Sequence, residues 1–100
     1  MELESILQNL RHFLDNEKRL KAYPTKHKQK QIALFYLASK FEQGRVYTEK
    51  EVNEILIQWH TFQDWAMLRR ELHDKSFFDR ASNGSNYWLE ENQPSMENII

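Results

Sequence analysis

Between residues 18 and 30 the chain reads KRLKAYPTKHKQK, six Lys or Arg and no acid. Amines and guanidiniums at that density neutralise phosphates, and they stand in a chain whose formal net charge is only −1. Glu17 alone opposes them over residues 16–30, whereas residues 31–89 sum to −1 and residues 90–100 to −3. The candidate contacts to a polyanion here are Lys18, Arg19, Lys21, Lys26, His27, Lys28 and Lys30. Lys26, Lys28 and Lys30 also fall in the first turns of an expected helix, where the macrodipole favours acids. An external anion would relieve that local cost. The ordinary alternative is a solvated lysine-rich face.

Other chemistries find little material. Gly44 and Gly84 are the only glycines and lie too far apart for a phosphate-cradling loop. Cysteine is absent, which removes disulfides and thiolate metal sites and fits a cytoplasmic location. His12, His27, His60 and His73 lack metal-ligand spacing, and no serine sits in a G-x-S-x-G elbow. The expectation is a protein that is not an enzyme, with no cofactor, metal or small-molecule ligand. No apolar run approaches the ~20 residues of a membrane span.

The elements that position these residues follow from local signals. Leu3, Ile6, Leu7, Leu10, Phe13 and Leu14 recur at helical spacing and predict an amphipathic helix over 1–15. Pro24 keeps Tyr23 extended, and Thr25 is the expected N-cap of a second helix over 26–41, whose apolar centre should be the core helix. Val46 and Tyr47 allow a very short strand. Thr48 with Glu51 forms a capping-box signature opening a helix over 48–59. After a break at His60-Thr61 a further helix should run from Phe62 to Lys75, with Trp65, Leu68 and Leu72 inward; Trp59 and Trp65 are expected core pillars. Asn83-Gly84 between aromatic strands signals a type I′ hairpin over 77–90. A polar, acidic tail over 91–100 ends the chain.

This order predicts an α+β, mostly helical fold: a winged helix-turn-helix with an extra N-terminal helix and a C-terminal β-hairpin wing, in a single domain over 1–89. The second helix of such a pair enters the major groove. A helical wheel puts Gln63, Met67 and Arg70 opposite the buried stripe, with His73 on the flank. Gln63 can pair with adenine, Arg70 with guanine, and Met67 can touch a thymine methyl. Arg69 lies nearer the core and should snorkel along apolar surface or pair with an acid. Arg80 and Asn83 on the wing can reach phosphates. Asp64, Glu71 and Asp74 share the helix and oppose that role; a solvated face with an Arg70–Asp74 pair is the plainer reading.

The segments RLKAYPTKHKQK, YTEKEVNEIL and WHTFQDWAMLRREL, followed by FFDR and NYW, resemble an uncharacterised bacterial domain family. That family is carried under a domain-of-unknown-function label and occurs alone or joined to helix-turn-helix transcriptional regulators. The resemblance spans roughly residues 8–89. It implies nucleic-acid binding without an established reaction or ligand.

The leading expectation is a small bacterial regulator that binds double-stranded DNA. The alternative is a non-catalytic interaction or dimerisation module accessory to transcription regulators, with a homodimer formed through Leu3, Leu7, Leu10 and Leu14. An RNA-binding accessory protein is a third option, since the same charge serves either polymer.

Overall fold

The apolar stripe at the N-terminus starts a helix but does not sustain one. In the computed structural model, which describes residues 3–95, α1 covers only Leu3–Asn9. Phe13 N–H then donates to the Leu10 carbonyl at 2.7 Å, a tighter turn, and Leu14 leaves to bridge Leu20 antiparallel. Asp15 fixes the bend: its carboxylate accepts from the backbone N–H of Arg19 at 2.8 Å and of Glu17 at 2.9 Å. Leu10 and Leu14 are thereby buried in the chain's own core. The expected four-leucine dimer seam is not available, because only Leu3, 59 % exposed, and part of Leu7 remain open.

The second helix, α2 (His27–Ala38), buries Ile32, Ala33, Leu34, Tyr36, Leu37 and Ala38 and is the centre of the core, as its composition demands. Its cap is Lys26, with extended backbone and no side-chain capping bond; Thr25 falls one residue too early. After β1 (Tyr47–Thr48) comes α3 (Glu49–Trp59), opened by a complete capping box. Thr48 Oγ1 accepts from Glu51 N–H at 3.1 Å, and the Glu51 carboxylate accepts from Thr48 N–H at 2.8 Å. Thr48→Ala should lower unfolding free energy by about 1 kcal/mol in urea titrations.

Both Asp15 and Glu51 have carboxyls held below their ordinary values of 3.8 and 4.5, chiefly by the backbone N–H groups of Arg19 and Thr48. A depressed carboxyl stabilises the fold above its unfolded value, and that contribution fades as pH falls through the folded value. Thermal unfolding followed by circular dichroism should therefore show stability declining between about pH 5 and pH 2. Asp15→Asn should flatten part of the decline.

The link to α4 (Trp65–Asp74) is longer than expected, occupying residues 60–64. Buried His60 organises it: Nδ1–H donates to the Leu56 carbonyl at 2.5 Å, and Nε2 accepts from Asp64 N–H at 3.0 Å. The connector before α2 locks the same turn. Leu20 N–H donates to the Trp59 carbonyl at 2.8 Å, and Thr61 N–H donates to the Leu20 carbonyl at 2.9 Å. Gln63 turns the chain with φ 53°, so the helix cannot begin at Phe62. Trp65, as first helical residue, is 37 % exposed rather than inward. Trp59 is half-buried against the core, edge-on to Tyr36 at 6.3 Å between ring centroids, with Lys40 Nζ 3.9 Å from its own centroid.

Strands β2 (Phe78–Arg80) and β3 (Asn86–Leu89) complete an antiparallel sheet of order β1-β3-β2. The hairpin turn is not type I′. Gly84 has φ 73° but Asn83 does not share its positive sign, and Gly84 N–H donates to the Ala81 carbonyl at 2.8 Å. The loop is one built around an ordinary turn with glycine in the left-handed position. Phe78, Tyr87 and Leu89 face the core, where Phe41 stands edge-on to Phe78 at 4.8 Å. The described residues thus form a small α+β unit of four helices and one three-stranded sheet. The start of the tail is tied down, since Gln93 Nε2 donates to the Phe77 and Glu90 carbonyls at 2.9 and 2.8 Å. The tail from residue 96 lies outside the described residues.

Candidate nucleic-acid interface

Leu68 and Leu72 anchor α4 in the core, and Arg69 fixes its roll. The Arg69 guanidinium pairs with Glu49 at 3.2 Å and donates to Asn53 Oδ1 on α3. Arg69 therefore pairs with an acid, one of the two outcomes its place on the wheel allows. With that face spent, Arg70 points outward and His73 lies on the side nearest the hairpin. Register pairs Arg80 with Tyr87 across β2 and β3, so both side chains share the face turned to α4.

The result is one cavity of about 240 Å³ between α4 and the hairpin, lined by Ala66, Arg69, Arg70, His73, Asp74, Arg80 and Tyr87. It is smaller than the ~300–1,000 Å³ of pockets for drug-sized ligands. Basic groups dominate its wall. Asp74 is the one carboxylate, and it faces His73 Nδ1 at 3.4 Å instead of pairing with Arg70 as the plainer reading has it. Neither Arg70 nor Arg80 has an ion-pair partner among the described residues. An exposed guanidinium and an imidazole from α4 thus line one cavity with an exposed guanidinium from β2, a geometry that suits phosphate oxygens.

On the other flank of α4 the basic connector is attached directly. Tyr23 O–H donates to Glu71 Oε1 at 3.1 Å, and Lys30 Nζ lies 5.8 Å from the Tyr23 ring centroid. Burial, then the Glu71 charge, pushes the Tyr23 phenol up, so it stays a donor. Glu71, counted from sequence as a repulsive charge on the helix, is occupied as a joint. Tyr23→Phe should loosen this joint and cost about 1–2 kcal/mol in denaturant titrations.

The remaining candidates divide. Lys26, His27 and Lys28 are exposed around the start of α2, a terminus with no acid in its first turn. Lys21 is exposed beside the locked turn, and Lys18 lies in a loop with φ 65°, its carbonyl accepting from Tyr36 O–H at 2.6 Å. Arg19 is spent within the chain, on Asp15 at 2.9 Å and Glu17 at 3.7 Å. Met67 packs half-buried against the core, which leaves less of it for a base than the wheel suggested. Gln63 is exposed but precedes the helix instead of riding on it. Asn83 Oδ1 is used within the hairpin loop by Ser85 N–H at 3.0 Å and Ser85 Oγ at 2.7 Å.

Tyr87 as a wall and Tyr23 as a joint escaped the sequence reading. The first was legible in principle, since a longer hairpin loop sets Arg80 opposite Tyr87. The second is a tertiary contact over 48 residues and has no local signal.

No curated protein and no solved structure matches the chain. A family model described as an uncharacterized protein conserved in bacteria, DUF2087, matches residues 19–89. That stretch begins at the basic connector and ends with β3, so it contains the whole cavity, the Tyr23 joint and the locked turn. The chain belongs to this DUF2087 family of uncharacterised bacterial proteins.

Proposed function

We propose that this protein is a small DNA-binding regulator of winged helix-turn-helix type, acting in the bacterial cytoplasm. One observation carries the reading: Arg70 and His73 of α4 and Arg80 of the hairpin line one cavity, and neither arginine has an ion pair among the described residues. Supporting it, helix, short strand, two helices and hairpin follow in winged-helix order, and the sheet order is β1-β3-β2. In this reading α4 lies in the major groove with Arg70 toward the bases, Gln63 at its leading end, and Arg80 on the flanking backbone. Lys21, Lys26, Lys28 and Lys30 add sequence-independent attraction from the Tyr23 side.

A fluorescent duplex titrated with protein at several salt concentrations tests this. If about four phosphates are neutralised, log K should fall against log salt with a slope near −3.6. The Lys26→Ala/Lys28→Ala/Lys30→Ala variant should bind more weakly with a shallower slope. No binding at low salt, or an unchanged slope in the variant, would remove the proposal. A single-stranded RNA of the same length distinguishes the two polymers.

The accessory-module reading draws on a different feature. Ile57, 49 % exposed, and Trp65 bound a shallow cavity of about 320 Å³ with His60 and Gln63, an apolar spot that DNA does not require. It predicts no duplex binding, and a protein partner whose affinity falls in Trp65→Ala.

A further inference from the structure

The three-stranded sheet has a second face. Tyr47, Phe78, Tyr87 and Leu89 point into the core, so the alternating positions point away from it. Register pairs Asp79 with Trp88, and Val46 continues β1 beside Trp88 from the other side. The row Val46, Trp88 and Asp79 therefore runs across the outer face. It lines an open groove of about 760 Å³ completed by the chain at Gln43–Gly44 and by Glu90 and Glu91.

The chemistry of this groove is the opposite of the α4–hairpin cavity. Its floor is apolar, with Val46 58 % exposed and Trp88 half-buried. Every charged residue that lines it is acidic, namely Asp79, Glu90 and Glu91. None of the three is ion-paired among the described residues. Asp79 Oδ1 accepts only a backbone N–H, that of Arg80 at 2.8 Å. Exposed aliphatic and aromatic surface flanked by carboxylates with no cation beside them costs solvation and self-repulsion that a matching partner would relieve.

We infer that this groove docks a partner protein through a short segment with an apolar anchor flanked by Lys or Arg. Charge selects that occupant over the others. A two-fold pairing of this face with itself would bring Asp79, Glu90 and Glu91 against their own copies. Nucleic acid and anionic lipid are repelled by the same carboxylates. An apolar side chain on Trp88 with flanking cations near the acids satisfies both features at once. The inference stands apart from the DNA reading, because the Arg80 and Tyr87 side chains lie on the other face of the same hairpin. The wing would then serve two partners, one on each side.

The test uses the full chain, ¹⁵N-labelled, and a synthetic probe peptide Lys-Lys-Leu-Trp-Leu-Lys-Lys with capped ends. Two controls replace its lysines by Glu or its Leu-Trp-Leu by Gly-Ser-Gly. The cationic apolar probe should shift the Trp88 indole and the amides of Val46, Gly44, Glu90 and Glu91, and both controls should bind at least about fivefold more weakly. Glu90→Lys/Glu91→Lys should weaken the probe by about fivefold or more, and Val46→Ser, a substitution at an exposed site, should weaken it without unfolding the chain. Duplex binding by Val46→Ser should match wild type, so failure here and failure of the DNA reading are separable. Shifts centred elsewhere, equal binding of the controls, or concentration-dependent broadening of the same signals without peptide would overturn the inference. The last result would assign the face to a second copy.

Discussion

Removing both exposed guanidiniums of the α4–hairpin cavity, in Arg70→Ala/Arg80→Ala, should weaken duplex binding by about 60-fold at 0.1 M salt. The figure has two parts. Arg80 neutralises a phosphate, which is worth about 0.9 decade between 0.1 M and the 1 M reference. The base contact of Arg70 adds about 1.2 kcal/mol, roughly another 0.9 decade. The salt slope should fall by only ~0.9, because one phosphate contact is lost. Neither side chain holds the fold together: both are exposed, and neither has an ion pair among the described residues. Denaturant midpoints should stay within about 0.5 kcal/mol of wild type. Arg69 makes the contrasting control. It is spent on Glu49 and Asn53, so Arg69→Ala should lower stability before it lowers intrinsic affinity.

His60→Ala should produce the largest loss of stability, about 3–4 kcal/mol in urea titrations. The imidazole bonds the Leu56 carbonyl on one side and Asp64 N–H on the other, and stands edge-on to Phe62 at 4.8 Å. Alanine leaves two backbone groups without their partner and opens a void where the ring is only 4 % exposed. Each orphaned group costs about 1–3 kcal/mol, and the lost packing adds to that. In a domain of this size the melting temperature should fall by roughly 15–25 °C. A loss below about 1 kcal/mol would mean that water replaces both bonds, and the turn would not depend on the ring. The proposed DNA contact depends on the same ring, because this turn joins α3 to α4.

The sequence made the regular elements legible and the joints between them illegible. Thr48 and Glu51 gave the start of α3 to the residue, because a capping box is local chemistry. The apolar middle of α2 marked the core helix for the same kind of reason. The length of α1 was misread, because Leu10, Phe13 and Leu14 keep helical spacing while Asp15 pulls the chain into a bend. Apolar spacing reports which side chains are buried, and a turn can bury the same residues. The start of α4 moved for a related cause: the His60 bonds and the positive φ of Gln63 consume residues that propensity assigned to helix. Asn83-Gly84 was correctly a hairpin signal, but the Asn83 side chain bonds Ser85 and favours a longer loop. Of the candidate contacts, Arg70, His73 and Arg80 came together, while Arg19 turned to Asp15 and Glu17. Charge counting cannot separate a free cation from a paired one.

The two faces of the hairpin differ in chemistry, and the two proposals assign one partner to each. One face presents Arg80 beside α4, and the other presents Trp88 among carboxylates. The proposed regulator would need both a hold on DNA and a surface for a partner, and a three-stranded sheet offers two faces at no extra chain length.

The most direct measurement is a chemical-shift map of the ¹⁵N-labelled chain titrated with a duplex of about 16 base pairs, enough for one and a half helical turns. The account predicts the largest changes at Gln63, Ala66, Arg70, His73, Arg80 and Asn83, with smaller ones along residues 26–30. Val46, Trp88 and Glu91 should stay unmoved. Changes confined to that far face of the sheet, or a spectrum indifferent to DNA at low salt, would contradict it.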